Sequence, residues 1–257
     1  MVREAQQNSK DGTTLVYIPE GEFIAGSARR FKVRLPAYYI ARTCVTNRQY
    51  KLFIDQTGYH PPQALWGEVV WRDDIFSLNK AEHPVVHVTW VDAQAYCKWA
   101  GLRLPTELEW EKAARGTDGR IYPWGDIWDP SRCCNNTFDA TCPVESYPYG
   151  ASPWGILQMA GNVQEWCADF FDFDVYELYR TGKLTPRDKA DHRVPAGTRV
   201  IRGGDWFQMH RTPTLADPEI DVFECASRCG MRSDDANQQT GFRCARDVED
   251  APGRHMR

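Results

Sequence analysis

A chain of 257 residues, 42% hydrophobic and 26% charged, has the proportions of a folded domain with a large apolar core. Its 31 basic and 35 acidic side chains are mixed along the sequence and leave a net charge of -4, with no basic stripe for phosphate backbones, so nucleic acid is excluded as an expected partner. No run approaches the roughly 18 apolar residues of a membrane span and the start, Met1 to Thr14, is polar, which excludes a membrane role and points to the cytoplasm, or to export if a leader was removed.

One domain over residues 1–257, with a core from about 14 to 247, is expected. Leu15 to Ile18, Glu22 to Ala25 and Phe31 to Leu35 are short runs that suit strands. Thr46-Asn47-Arg48-Gln49 is a capping box. Val45 and Tyr50 are placed as its hydrophobic staple, Tyr50, Phe53 and Ile54 share one face, and Gly58 ends the helix. Val85 to Val88 reads as a strand. Thr89 with Asp92 starts a second helix with Ala93, Tyr96 and Ala100 on one side and Gly101 at its end; Thr106 with Glu109 starts a third that runs to Gly116. The clusters Tyr122-Pro123-Trp124-Gly125 and Ser152-Pro153-Trp154-Gly155 read as loops pinned by aromatic anchors. The polar tract from Tyr179 to Ala196 reads as a surface excursion, and Arg199 to Arg202 and Gly241 to Ala245 complete the strands. Short, widely separated strands with helices in the first half alone predict an irregular, loop-rich α+β domain, not a doubly wound sheet.

Nine cysteines are an odd number, so a monomer keeps at least one free thiol. Cys133 and Cys134 are adjacent and Cys225 and Cys229 stand four apart. No CxxC pair is followed by another, so a structural zinc site has little support.

Several blocks together resemble the formylglycine-generating enzyme, or sulfatase-modifying factor, family. They are His83-Pro84-Val85-Val86-His87-Val88-Thr89-Trp90, Arg103-Leu104-Pro105-Thr106-Glu107, Met159-Ala160-Gly161-Asn162-Val163 with Glu165-Trp166, Arg202-Gly203-Gly204, and Gly241-Phe242-Arg243-Cys244, in order along nearly the whole chain. The resemblance implies a C-type-lectin-like fold, often with calcium. It also implies one of several roles: oxidation of a sulfatase cysteine, iron-dependent sulfoxide synthesis, pyoverdine maturation, or binding by variable proteins of diversity-generating retroelements. Fold alone does not choose among these.

In the copper-dependent members, the segment after Gly-Gly supplies two cysteines. Here the matching positions read Asp205, Trp206, Phe207 and Gln208, and the second cysteine's place is Pro213. Neither residue offers the soft thiolate that copper favours, so copper is not expected. The family's calcium site maps onto the carbonyls of Gly161 and Val163, the side chain of Glu165, and Gln158 where an Asn is usual; a second would involve Asn136 and Thr137. The resemblance also pairs Cys97 with Cys244 as a disulfide, two buried thiols being the alternative in a reducing cytosol, and leaves Cys225 without its usual partner because Ala114 stands there.

Residues 205–239 depart most from the family. The segment occupies the place of the substrate cleft in the enzymes and of the recognition surface in the variable proteins, and loops on a rigid frame commonly bind. Asp205, Trp206, Phe207, Gln208, His210, Arg211 and Arg228 are the expected contacts for a protein or small-molecule ligand. The alternative is an oxygen-using iron site at Asp205 and His210, with Asp217, Glu219, Asp221 and Glu224 in the same segment.

Overall fold

The computed structural model describes residues 5–63, 70–72, 75–136, 140–185, 197–210 and 221–248. Of the positions singled out above, Thr137, Arg211, Pro213, Asp217 and Glu219 lie outside the described residues. In chain order the elements are β1 (Gln6–Gln7), β2 (Thr14–Ile18), β3 (Gly21–Ala25), β4 (Phe31–Leu35), β5 (Tyr38–Ala41), α1 (Asn47–Thr57), β6 (Trp71–Arg72), β7 (Ile75–Phe76), α2 (Trp90–Ala100) and α3 (Glu107–Arg115). There follow β8 (Gln164–Phe170), α4 (Val175–Arg180), β9 (Thr198–Arg202), β10 (Cys229–Arg232), β11 (Thr240–Gly241) and β12 (Ala245–Asp247). Two four-stranded sheets, ordered β1-β2-β5-β12 and β10-β9-β8-β11, and two hairpins, β3-β4 and β6-β7, make an irregular α+β fold. Among the described residues no helix is long and apolar enough to cross a membrane.

All three helix starts carry complete capping boxes: Thr46 with Gln49, Thr89 with Asp92 and Thr106 with Glu109 each exchange side-chain and backbone bonds. Each box satisfies two N–H groups that the first turn would otherwise leave unpaired. Gly58 and Gly101 then stop α1 and α2 in the left-handed conformation, which glycine adopts without steric penalty. The buried faces of α1 and α2 meet as Tyr50, Phe53 and Tyr96, with Tyr50 stacked on Tyr96 at 5.8 Å. A second core cluster gathers Phe23, Tyr38, Trp110, Met159 and Cys225 around α3. Each buried aromatic contributes on the order of 1.5–3 kcal/mol of transfer free energy.

The expected strand at Val85 to Val88 does not form. Pro84 makes one isolated bridge with Thr46, Val85 donates to the Val45 carbonyl at 2.9 Å, and His87 turns into the left-handed region at φ 58°. The apolar character of this segment reflects burial as a connection, with Val85 and Val88 fully covered. The run Gly241 to Ala245 is divided: β11 pairs in parallel with β8, β12 pairs antiparallel with β5, and Phe242 to Cys244 crosses between the two sheets. A helix also forms in the second half, at α4. The strands absent from the sequence reading are mainly β5, buried at every residue and so without alternation, and β8, whose sequence Gln-Glu-Trp-Cys-Ala-Asp-Phe looks polar because Glu165 is neutralised inside the fold.

Candidate functional site

The segment after β9 begins at Gly203 and Gly204, both at positive φ (100° and 65°). A Cβ at Gly203 would lie 3.1 Å from the Trp110 ring, and one at Gly204 3.0 Å from Phe223, so the backbone passes tightly between two aromatics. Asp205 then builds a turn: its Oδ1 accepts from the backbone N–H groups of Phe207 (2.9 Å) and Gln208 (3.2 Å), and Gln208 Oε1 accepts from the Asp205 N–H at 3.0 Å. Burial pushes the Asp205 carboxyl up to about 6, against the two backbone bonds that favour its charged form. Trp206 is folded inward, its N–H donating to the Asn162 carbonyl and its indole Nε1 to the Gln238 carbonyl at 3.3 Å. Phe207 and Met209 are left outside, 53% and 58% exposed.

His210 turns back toward the loop that carries Tyr122 and Trp128. Its Nδ1 lies 2.7 Å from Asp221 Oδ2, which also accepts the Tyr122 hydroxyl at 3.0 Å. The imidazole lies flat on Trp128, with centroids 4.3 Å apart and planes 10° apart, and Trp128 leans on Phe223 at 5.0 Å. Tyr122 is itself stacked on Trp124 at 5.5 Å. Burial, then the Asp221 charge, raises the Tyr122 phenol, which therefore remains a proton donor to Asp221. The Asp221 side chain is fully covered. The result is an aromatic wall tied together at one buried carboxylate, next to the exposed Phe207 and Met209.

The expected contact residues separate accordingly. Phe207 and His210 belong to this surface. Trp206 supports it from behind, and Gln208 is a brace, since its carbonyl accepts from the Asn136 N–H at 3.1 Å. Arg228 is engaged apart from the turn: its guanidinium pairs with Glu107 at 2.9 and 3.1 Å, donates to the Asp172 carbonyl, and packs over Phe171 and Tyr176, which gives Glu107 a counter-charge inside the fold. Asp205 and His210 serve a turn and an Asp221 pair respectively, and among the described residues no three His, Cys, Asp or Glu side chains form a metal-holding group. The sequence reading missed Met209, Trp128 and Phe223, and it noted Asp221 only as one of the acids of the segment, not as the partner of His210. The Tyr122-Pro123-Trp124-Gly125 cluster was the one signal for this wall, and nothing in the spacing from His210 to Asp221 announces their pairing.

The oxygen set expected for calcium is divided. Gln158 Oε1 and Asn136 Oδ1 are buried without a hydrogen bond, as neutral cation ligands would be. Glu165, the one carboxylate of the first site, to which Gln158 belongs and Asn136 does not, is committed elsewhere. Its oxygens accept from Arg243 at 2.6 Å each, from Trp110 Nε1 at 2.8 Å and from Cys44 Sγ at 3.3 Å. Calcium favours anionic oxygens, so a set whose carboxylate faces an arginine does not fit it. Of the cysteines, Cys97 and Cys244 bring their sulfurs to 3.5 Å in the core, while Cys225 is buried and Cys229 exposed.

The model of the sulfatase-modifying factor enzyme 1-like domain matches residues 2–248. The chain is 35% identical to the serine/threonine-protein kinase Pkn1 of Chlamydia trachomatis, over 92% of this chain and 39% of that protein. It thus spans about two fifths of the length of the chlamydial relatives it matches. It is 34% identical to the formylglycine-generating enzyme of Thermomonospora curvata, over 84% of each. Among solved structures it is similar to PvdO from Pseudomonas aeruginosa (TM-score 0.73, 21% identity, covering 95% of this chain and 98% of the other). Variable protein 1 of Treponema denticola is also similar (TM-score 0.65, 20% identity, 95% and 99% covered).

Proposed function

The chain belongs to the sulfatase-modifying factor enzyme 1-like domain family, and from that premise we propose that it is a binding member whose 205–239 segment recognises a ligand, a protein surface foremost. The observation that carries this reading is the division of labour in one turn. Asp205 and Gln208, at the start and end of the turn, direct their polar groups into the turn itself, while Phe207 and Met209 face outward beside the Trp128–His210 stack. Polar residues that hold a loop rigid, with large apolar side chains presented on it, give contact area at low ordering cost. Gln208 stands at the first cysteine's place in the copper-dependent members, where it has become a backbone brace.

The test is selection of peptides from a random display library on the immobilised protein. Peptides that bind the wild-type chain are expected to lose at least about tenfold in affinity, about 1.4 kcal/mol, on the double variant Phe207→Ala/Met209→Ala. Equal binding to both proteins would move the recognition surface elsewhere. The competing oxidase reading is checked with an oxygen electrode, the protein loaded with iron(II) and given a cysteine-containing peptide. Oxygen uptake that disappears in His210→Ala would replace binding by oxidation.

A further inference from the structure

Outside the recognition turn, Gly161 and Asn162 hold two distant stretches of chain together, and each stretch presents a thiol. The Asn162 backbone N–H donates to the Cys134 carbonyl at 2.9 Å. The Asn162 side chain grips Cys142 in both directions, Oδ1 accepting from the Cys142 N–H at 3.0 Å and Nδ2 donating to the Cys142 carbonyl at 3.1 Å. Asn162 is fully buried and at φ 65°, a conformation asparagine tolerates better than most residues. Gly161 allows the approach, since a Cβ there would sit 2.2 Å from the Cys134 carbonyl oxygen. With both backbones held on Asn162, Cys134 and Cys142 are neighbours whose side chains influence each other, and Gln158 Nε2 donates to Cys142 Sγ at 3.6 Å.

We propose that Cys134 and Cys142 are an oxidisable pair that closes a disulfide across the 134–142 loop, with a low-molecular-weight disulfide such as oxidised glutathione as the oxidant. Cys134 is buried and Cys142 is partly exposed, so Cys142 is the point of entry. Its thiolate attacks one glutathione sulfur, forming a mixed disulfide and releasing one glutathione. The Cys134 thiolate then attacks the Cys142 sulfur and expels the second glutathione, and the two protons lost by the cysteines end on the two glutathione thiols. Two protein thiols are oxidised and one glutathione disulfide is reduced. The neighbouring Cys134 thiol, then burial, hold the Cys142 proton above the usual range, so exchange is slow and the experiment is run to equilibrium.

The pair differs from Cys97 and Cys244, which meet in the core, and it has a connection that those lack. Asn136, two residues past Cys134, donates its N–H to the Gln208 carbonyl in the recognition turn. Closing the loop therefore restrains a support of the proposed binding surface.

The full chain is equilibrated in reduced and oxidised glutathione mixtures, free thiols are trapped with an alkylating reagent, and the peptides are mapped by mass spectrometry. The expected result is a Cys134–Cys142 cross-linked peptide, lighter by two hydrogens, at the oxidising end, which returns to two alkylated cysteines at the reducing end. In Cys134→Ser, Cys142 is expected to stop at the glutathione adduct. Cys134 and Cys142 both alkylated under oxidising conditions, or Cys142 joined to Cys133 instead, would overturn the proposal. The wild-type map needs no substitution, so a variant that misfolds leaves the test intact.

Discussion

Glu165 and Arg243 form a two-pronged ion pair with both side chains fully buried, each carboxylate oxygen 2.6 Å from a guanidinium nitrogen. The pair joins β8 to the crossing between β11 and β12, and it draws in Trp110 of α3 and the carbonyls of Ala41 and Leu157. Removing one partner leaves the other charged and uncompensated in the core. Glu165→Gln is therefore expected to lower unfolding free energy by about 3–5 kcal/mol in urea titrations. Because Arg243 occupies the carboxylate, dialysis against a calcium chelator is expected to leave the wild-type melting temperature unchanged; a clear rise on adding calcium would return Glu165 to a cation.

Asp169 gives a pH dependence of defined sign. Burial, then the Glu107 and Glu109 carboxylates, push its carboxyl up to about 7, while the Glu107 N–H at 2.6 Å and the charge of Arg228 act in the opposite direction. The unfolded value is about 3.9, so the folded state keeps a proton that the unfolded state has lost. Its contribution is present below about pH 4 and is lost as pH rises toward 7. Subtracting the stability profile of Asp169→Asn from that of the wild type should show this decline with increasing pH; a flat difference would place the carboxyl in its ordinary range.

Gly161→Ala combines a φ of 77° with a clash against the Cys134 carbonyl. A loss of at least about 2 kcal/mol is expected from thermal or urea unfolding. An alanine variant of wild-type stability would mean that the backbone at Cys134 can withdraw, and would also count against the neighbouring thiol pair.

His210→Ala removes a partner of the buried Asp221 carboxylate and the ring stacked on Trp128. The expected cost is about 1–3 kcal/mol, with tryptophan emission shifted to longer wavelength as Trp128 gains water. In contrast, Phe207→Ala and Met209→Ala should each stay within about 0.5 kcal/mol of wild type, so that any lost binding is a surface effect. Similar stability for His210→Ala would show that the aromatic wall stands without its carboxylate tie.

What the sequence disclosed follows the range of the interactions. The three capping boxes were readable because Thr46 and Gln49, or Thr106 and Glu109, are three residues apart and the same bond recurs wherever that spacing begins a helix. The family blocks likewise marked the Gly203-Gly204 passage and the place of the segment that follows. Glu165 was readable as important but not in its role, because its partner Arg243 is 78 residues away and either a cation or a guanidinium satisfies a carboxylate. Arg228 looked like a surface contact for the same reason: its partner Glu107 lies 121 residues earlier, in the first turn of α3. The Tyr122–Asp221–His210 tie joins three loop residues, and no helical or strand period connects such positions.

The pairing of β12 with β5 sets an order of events during synthesis. Residues 245–247 complete a sheet whose other members lie within the first 41 residues, and Arg243 reaches the Ala41 carbonyl across the same gap. The amino-terminal sheet and the core beneath it therefore wait, with one edge open and Glu165 without its counter-charge, until almost the whole domain has left the ribosome. Such long-range closure favours slow folding.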